Sequence, residues 1–279
     1  MIALFEMIAE MLSFAFLVRA IIVGLLVSLC AALLGVSLVL KRYAMIGTGL
    51  SHVGFAAMVI AGVIDFAPLT FSIPIVIGAA FLLLRLNESS KIKGDSAVAL
   101  ISTSSLAIGV IVMSLTTGMT LHICNVMFGS IFAMTRADMY LSIGLSVAVI
   151  VLFVLFYKQL FAVTYDETFA KATGTRVEIY KSMLALLTAV TVVLGMRMMG
   201  ALLIASLTLF PALSAMRVCK RFLSVVITAA VVALVCFFVG MVFSFGLDLP
   251  PGASVVGVNL IVFMGFSGVS LIRQGGRTS

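Results

Sequence analysis

The chain has 279 residues, of which 63% are hydrophobic and 10% charged, with a net charge of +7 and no tryptophan. Its mean hydropathy is +1.35. A soluble domain carries about 25% charged residues, so these side chains cannot clothe a water-exposed surface, and the solvent they imply is lipid. The excess positive charge lies in short breaks between apolar runs, where it orients spans and does not mark a nucleic-acid surface.

A helical span needs roughly 20 apolar residues. Runs of about that size recur at 17–40, 44–63, 69–86, 96–115, 138–157, 181–196, 198–216, 222–245 and 254–272. The pattern predicts an all-α, polytopic transmembrane helical bundle of eight to nine spans, forming a single domain over 1–279. The stretch 181–217 reads either as two short helices or as one broken helix. At the N-terminus, Glu6 and Glu10 stand where a cleavable signal would carry basic residues. Cys30, Cys124, Cys219 and Cys236 form no C-x-x-C pair and read as small buried residues.

With nine crossings and the Lys41–Arg42 turn in the cytoplasm, 14 lysines and arginines fall inside, while Arg19, Arg136 and Arg197 fall outside. This bias predicts an outside N-terminus and a cytoplasmic C-terminus in the cell membrane. The segment 117–136 holds His122, Cys124 and Asn125 before a short apolar run. It is too short to cross and is expected to be re-entrant or interfacial on the outer side.

His52 is the ionisable side chain placed deepest within a predicted span, and Thr48 lies one turn before it on the same helix face. Polar groups in lipid are costly and face a cavity or a partner helix. Neutral imidazole is a good ligand for zinc, manganese or iron, whereas a threonine hydroxyl is a poor one. Gly47 and Gly49 permit close backbone approach or a broken helix, and Pro211 is expected to kink or break its span.

The longest polar break, 158–180, is expected on the cytoplasmic side. Tyr165, Asp166 and Glu167 look like a helix start with acids in its first turn, Phe169, Ala170 and Ala172 would form an apolar face, and Gly174 would end it. Such a helix needs either the membrane surface or a soluble partner. Asp65 and Asp248 are expected in loops on the outer side. No G-x-S-x-G, H-E-x-x-H or Walker A motif is present. With no acid cluster in the spans, neither an intramembrane enzyme nor a proton-coupled carrier is expected, and the energy for any pumping would come from a separate subunit.

Six segments in order resemble the membrane permeases of ATP-binding-cassette importers for zinc, manganese and iron. They are LVLKRYAMIGTGLSHVGFAAMVIAG, IKGDSAVALISTSSLAIGVIVMS, CNVMFGSIFAMTRAD, YDETFAKATG, GALLIASLTLFPALSA and DLPPGAS. The resemblance covers essentially the whole chain. It implies a non-enzymatic transport subunit that pairs with a second copy, two cytoplasmic ATPase subunits and an extracytoplasmic metal-binding protein. No cofactor would be permanently bound, and the cargo would be a divalent transition metal. The resemblance assigns Tyr165, Asp166, Glu167, Phe169, Ala170 and Gly174 to ATPase coupling. It maps the family's metal-site histidine onto His52 and its aspartate onto Thr48. That lost carboxylate tilts the expected cargo toward zinc over manganese or iron. A permease for a metal chelate such as a siderophore or cobalamin is the alternative, with a standalone secondary carrier behind it.

Overall fold

The computed structural model describes residues 10–11, 13–88, 94–116 and 136–275. The helices, in chain order, are α1 (Ala15–Leu40), α2 (Ile46–Val63), α3 (Pro68–Glu88), α4 (Gly94–Leu115), α5 (Arg136–Leu155), α6 (Tyr157–Tyr165), α7 (Glu167–Ala172), α8 (Val177–Val218), α9 (Phe222–Leu247) and α10 (Pro251–Gly275). Helices dominate for a physical reason: in hydrocarbon a backbone must satisfy its own N–H and C=O groups, and the helix does so within one segment. The 117–136 expectation falls almost wholly outside the described residues.

The ambiguous stretch 181–217 is resolved by one residue. Gly200, at φ 85° and ψ 161°, breaks α8 into two arms. A non-glycine residue rarely holds such a backbone. Each arm, Val177–Arg197 and Met199–Val218, is long and apolar enough to cross, which brings the count among the described residues to nine. The arms form a hairpin, because both ends of α8 come back to the same short stretch of chain, residues 156–161. Tyr180, near the start of α8, packs at a tilt on Phe156, the N-cap of α6, at 5.8 Å between ring centroids. Phe222, which opens α9 just past the end of α8, packs at a tilt on Phe161 at 4.8 Å and on Tyr157 at 5.6 Å. The break does not fall at Pro211, where helical geometry continues. Proline costs one backbone bond there, but the free φ of glycine is what lets the chain reverse.

The hairpin is the centre of the bundle, with α1, α2, α3, α9 and α10 packed around it. Small residues let backbones approach where lipid gives no hydrophobic drive between helices. Gly35 on α1 lies against the main chain of Thr208 on the second arm. Gly47 and Gly49 likewise leave α2 unbroken. A Cβ on Gly47 would lie 3.0 Å from Thr208 Oγ1, and one on Gly49 would lie 2.8 Å from Val98 Cγ1 on α4. They are contact points and not breaks.

Candidate functional site

α2 buries most of its length against α3, α4 and α8, but Thr48 and His52 stay half-buried on one face, one turn apart. The imidazole is held from the neighbouring helix: His52 Nδ1 and Ser102 Oγ of α4 are 2.5 Å apart. When Nδ1 carries the proton and donates to Ser102, the lone pair sits on Nε2, free for a cation. A metal-binding histidine is oriented in this way through its second nitrogen. Ser102 is buried and lies 50 residues from His52 in sequence, so no local pattern announces it.

Among the described residues no three His, Cys, Asp or Glu side chains converge on a point that could hold a metal. One imidazole, two nearby hydroxyl-bearing residues and no carboxylate make a sparse donor set for an ion that prefers four or more ligands. Ser51 does not add to it, because its hydroxyl donates to the carbonyl of Thr48 at 2.7 Å.

The loop after α5 is more ordered than a single amphipathic helix. Two helices, α6 and α7, project beyond the spans, and the expected coupling residues divide by direction. Asp166 is the N-cap of α7, its Oδ1 accepting from the N–H of Thr168 at 2.9 Å and of Phe169 at 3.0 Å. Such a cap contributes about 1 kcal/mol. Gly174, at φ 83°, closes the helix, with the Thr175 N–H donating to Ala170 O at 3.0 Å. Ala170 is fully buried with Val163 and Val177 and seats the helix. Tyr165 and Phe169 point outward, 78% and 63% exposed. The expected apolar face of Phe169, Ala170 and Ala172 therefore does not form, since only Ala170 turns inward.

Glu167 turns toward the bundle. Its carboxylate accepts from Lys41, which caps the end of α1, at 2.8 Å and pairs with Lys181 in the first turns of α8 at 2.7 Å. The lysine side chains are only 5% and 8% exposed. Burial alone would raise the Glu167 pKa, but the hydrogen bonds from Lys181 and Lys41 outweigh it and hold the carboxyl below the ordinary range. Burial draws the Lys41 ammonium below the usual lysine range, against the opposing pull of Glu167. The Lys171–Glu178 pair, at 3.5 Å with both side chains mostly exposed, adds at most about 1 kcal/mol. At the opposite end of the bundle, Arg197 donates to Asp138 at 3.2 Å and ties α5 to the hairpin tip. The Lys41–Glu167 and Arg197–Asp138 pairs carry no local sequence signal, because they join residues 126 and 59 apart in the chain.

A bundle of membrane-crossing helices with a sparse polar face at depth, and a capped helix projecting for a partner, is the build of a membrane transport subunit. The model of the ABC 3 transport family matches residues 13–270, and the chain belongs to that family. It is a multi-pass protein of the plasma membrane. A manganese transport system membrane protein, MntC, of Halalkalibacterium halodurans is 26% identical over 91% of this chain and 87% of its own length. The high-affinity zinc uptake system membrane protein ZnuB of Haemophilus influenzae is 27% identical, covering 90% of this chain and 96% of its own. The fold superposes on PsaBC from Streptococcus pneumoniae, solved in complex with Fab, with TM-score 0.83, 26% identity and 95% of each chain covered.

Proposed function

We propose that this chain is the permease subunit of an ATP-driven importer of divalent transition-metal ions, and that two copies line the pathway. The observation that carries the reading is the His52–Ser102 pair: a half-exposed imidazole at membrane depth, held from behind by a hydroxyl on the next helix. The similarity to manganese and zinc permeases over nearly the full chain supports it. One copy supplies a single imidazole, so a second facing copy doubles the nitrogen donors. The resulting site is weak, which suits an ion that must leave as readily as it enters.

In this reading α7 lies in the cytoplasm, as the positive residues clustered at that end favour, with the N-terminus outside and the C-terminus inside. Two ATPase subunits dock on Tyr165 and Phe169, and an extracytoplasmic metal-binding protein delivers the ion from the other side. The permease carries no resident cofactor, and lipid surrounds it. An imidazole without a carboxylate at position 48 suits zinc better than manganese, while manganese systems stand among the relatives, so the two ions are to be compared directly.

The test is uptake by the assembled complex in vesicles, with zinc and manganese offered separately, with and without ATP. ATP-dependent uptake of either free ion that drops at least tenfold in His52→Ala, with assembly intact, is the expected result. Uptake of a metal chelate but of neither free ion would establish a chelate permease. Transport by this chain without an ATPase would establish a secondary carrier.

A further inference from the structure

We propose that the junction of α6 and α9 binds the headgroup phosphate of an anionic phospholipid through Lys158, Lys220 and Arg221, with an acyl chain laid along the exposed ridge of α9. Such a site requires the bilayer, and neither the cargo nor an ATPase.

Three observations combine. First, tertiary packing gathers positive charge that the sequence keeps apart. Phe222 packs on Phe161 at 4.8 Å and on Tyr157 at 5.6 Å between ring centroids. Lys158 follows Tyr157 in the chain, and Lys220 and Arg221 run directly into Phe222. The ring contacts therefore bring the start of α6, with its exposed lysine, against the start of α9, with an exposed lysine and an exposed arginine. Arg217, one turn earlier, lies instead over the ring of Phe263 on α10, 6.0 Å from its centroid.

Second, nothing nearby in the chain neutralises these three charges. The segments 156–162 and 217–224 contain no aspartate or glutamate, and the first turn of α9 holds no acid. Among the described residues, the carboxylates that form ion pairs hold other cations: Glu167 holds Lys41 and Lys181, Glu178 holds Lys171, and Asp138 holds Arg197. Like charges brought together by packing repel, and an external anion removes that cost. To orient a span, positive residues need only lie on one side of the membrane. Orientation does not require them to converge on one cluster of rings.

Third, the charges stand at the head of an apolar track. α9 is long and apolar enough to cross the membrane from Phe222 onward, so its first turn lies at the edge of the hydrocarbon. Leu223, Ile227, Val231 and Val235, each four residues after the last, are all more than half exposed, and they form one ridge along the helix. At a rise of 1.5 Å per residue the ridge is about 18 Å long, against about 15 Å for one leaflet of the hydrocarbon core. A phospholipid is divided in the same way, with an anion at the interface and an acyl chain one leaflet long. Lysine and arginine at a span's end lay their stems on apolar surface and keep their charges among the headgroups, and basic pockets between spans bind acidic headgroups. A lipid held here bridges α6 and α9 and braces the footing on which the α8 hairpin stands.

The experiment mixes the full-length chain, purified in detergent, with equal amounts of phosphatidylglycerol and phosphatidylcholine, and counts the retained molecules of each by native mass spectrometry. Each basic side chain near an anionic surface changes affinity roughly fivefold. The wild-type chain is expected to retain phosphatidylglycerol over phosphatidylcholine by at least about tenfold, and Lys158→Gln/Lys220→Gln/Arg221→Gln to reduce the preference to about twofold or less. Arg85→Gln/Lys171→Gln/Arg176→Gln removes equal charge elsewhere and is expected to keep the wild-type preference. No preference in the wild type, an unchanged preference in the first triple variant, or an equal loss in the second overturns the proposal. Displacement of the lipid by millimolar inorganic phosphate would assign the site to a free anion and overturns it too. So does loss of a co-purifying ATPase in the first triple variant with its lipid preference intact, which would assign the surface to a protein partner. Should that variant fail to fold, Lys158→Gln alone, at an exposed position, is expected to lower the preference several-fold, and an unchanged preference there overturns the proposal.

Discussion

Gly35 of α1 and Thr208 of the second α8 arm meet main chain to main chain, so that any Cβ at position 35 would overlap the Thr208 carbonyl. Thr208 has no slack to give, since its own hydroxyl donates to Ala205 O at 2.9 Å and the main-chain atoms of a helix move only with the helix. Overpacking of this sort costs about 1–3 kcal/mol. Gly35→Ala is expected to lower the thermal unfolding midpoint of the purified protein in detergent. Gly144→Ala on α5, where nothing lies within 4 Å of the added atom, is expected to hold or slightly raise it, because alanine is favoured over glycine in a helix by about 1 kcal/mol. Equal midpoints for the two variants would show that the close approach does not organise the bundle.

The hydroxyl behind His52 gives a second prediction. Ser102→Ala leaves the imidazole free to rotate and removes a hydrogen bond worth about 1 kcal/mol, which corresponds to roughly fivefold in binding. The ion concentration for half-maximal uptake is expected to rise about that much, with the maximal rate less affected. Ser102→Thr keeps the hydroxyl and is expected to retain most of the affinity. Kinetics unchanged in Ser102→Ala would leave the contact as packing alone.

Thr48→Asp places a carboxylate one turn before His52, on the same face. Hard oxygen anions favour manganese more than they favour zinc. The expected result is a several-fold lower half-saturation concentration for manganese, a smaller change for zinc, and a slower maximal rate as release becomes limiting. Identical shifts for both ions would mean that position 48 does not face the cargo.

The cluster of Glu167 with Lys41 and Lys181 sets a pH dependence. The Glu167 carboxyl titrates below its ordinary range, so its stabilising contribution is complete above the unfolded carboxylate pKa and fades only as pH falls through the lower folded value. Lys41 is lowered as well, chiefly by burial, and a lysine held below its unfolded value brings no loss of stability as pH rises through that window. Protection of α7 from protease is expected to be flat through neutral pH, to survive mild acid and to fall in stronger acid. Glu167→Gln is expected to lower the plateau and remove the acid step. Protection lost already in the ordinary carboxylate range would contradict the lowered Glu167 value.

The spans were legible because lipid leaves a chain few options, and runs of about 20 apolar residues admit one reading. The start and stop of α7 were legible as well, since Asp166 and Gly174 act through their own neighbours in sequence. What sequence hid was direction and distance. Nothing local distinguishes Glu167, which turns inward, from Phe169 two residues on, which turns out. Ser102 lies 50 residues from His52, and Lys41 lies 126 from Glu167. The predicted gap between the spans 181–196 and 198–216 falls close to the break at Gly200, whereas Pro211, a conspicuous helix breaker, is tolerated inside a continuous helical run.

The shared footing of the α8 hairpin has a mechanical consequence. Because Tyr180 at the foot of α8 and Phe222 at the start of α9 both rest on the aromatic stretch Phe156–Phe161 that opens α6, the two arms share one footing, and a push there rocks them as one lever pivoting at its base. With arms of 21 and 20 residues, each about 30 Å long, a rotation of roughly 10° at the base carries the tip on the order of 5 Å. The tip is where Arg197 holds Asp138, so a modest stroke at one surface of the bilayer is amplified into the opening or closing of a contact at the other.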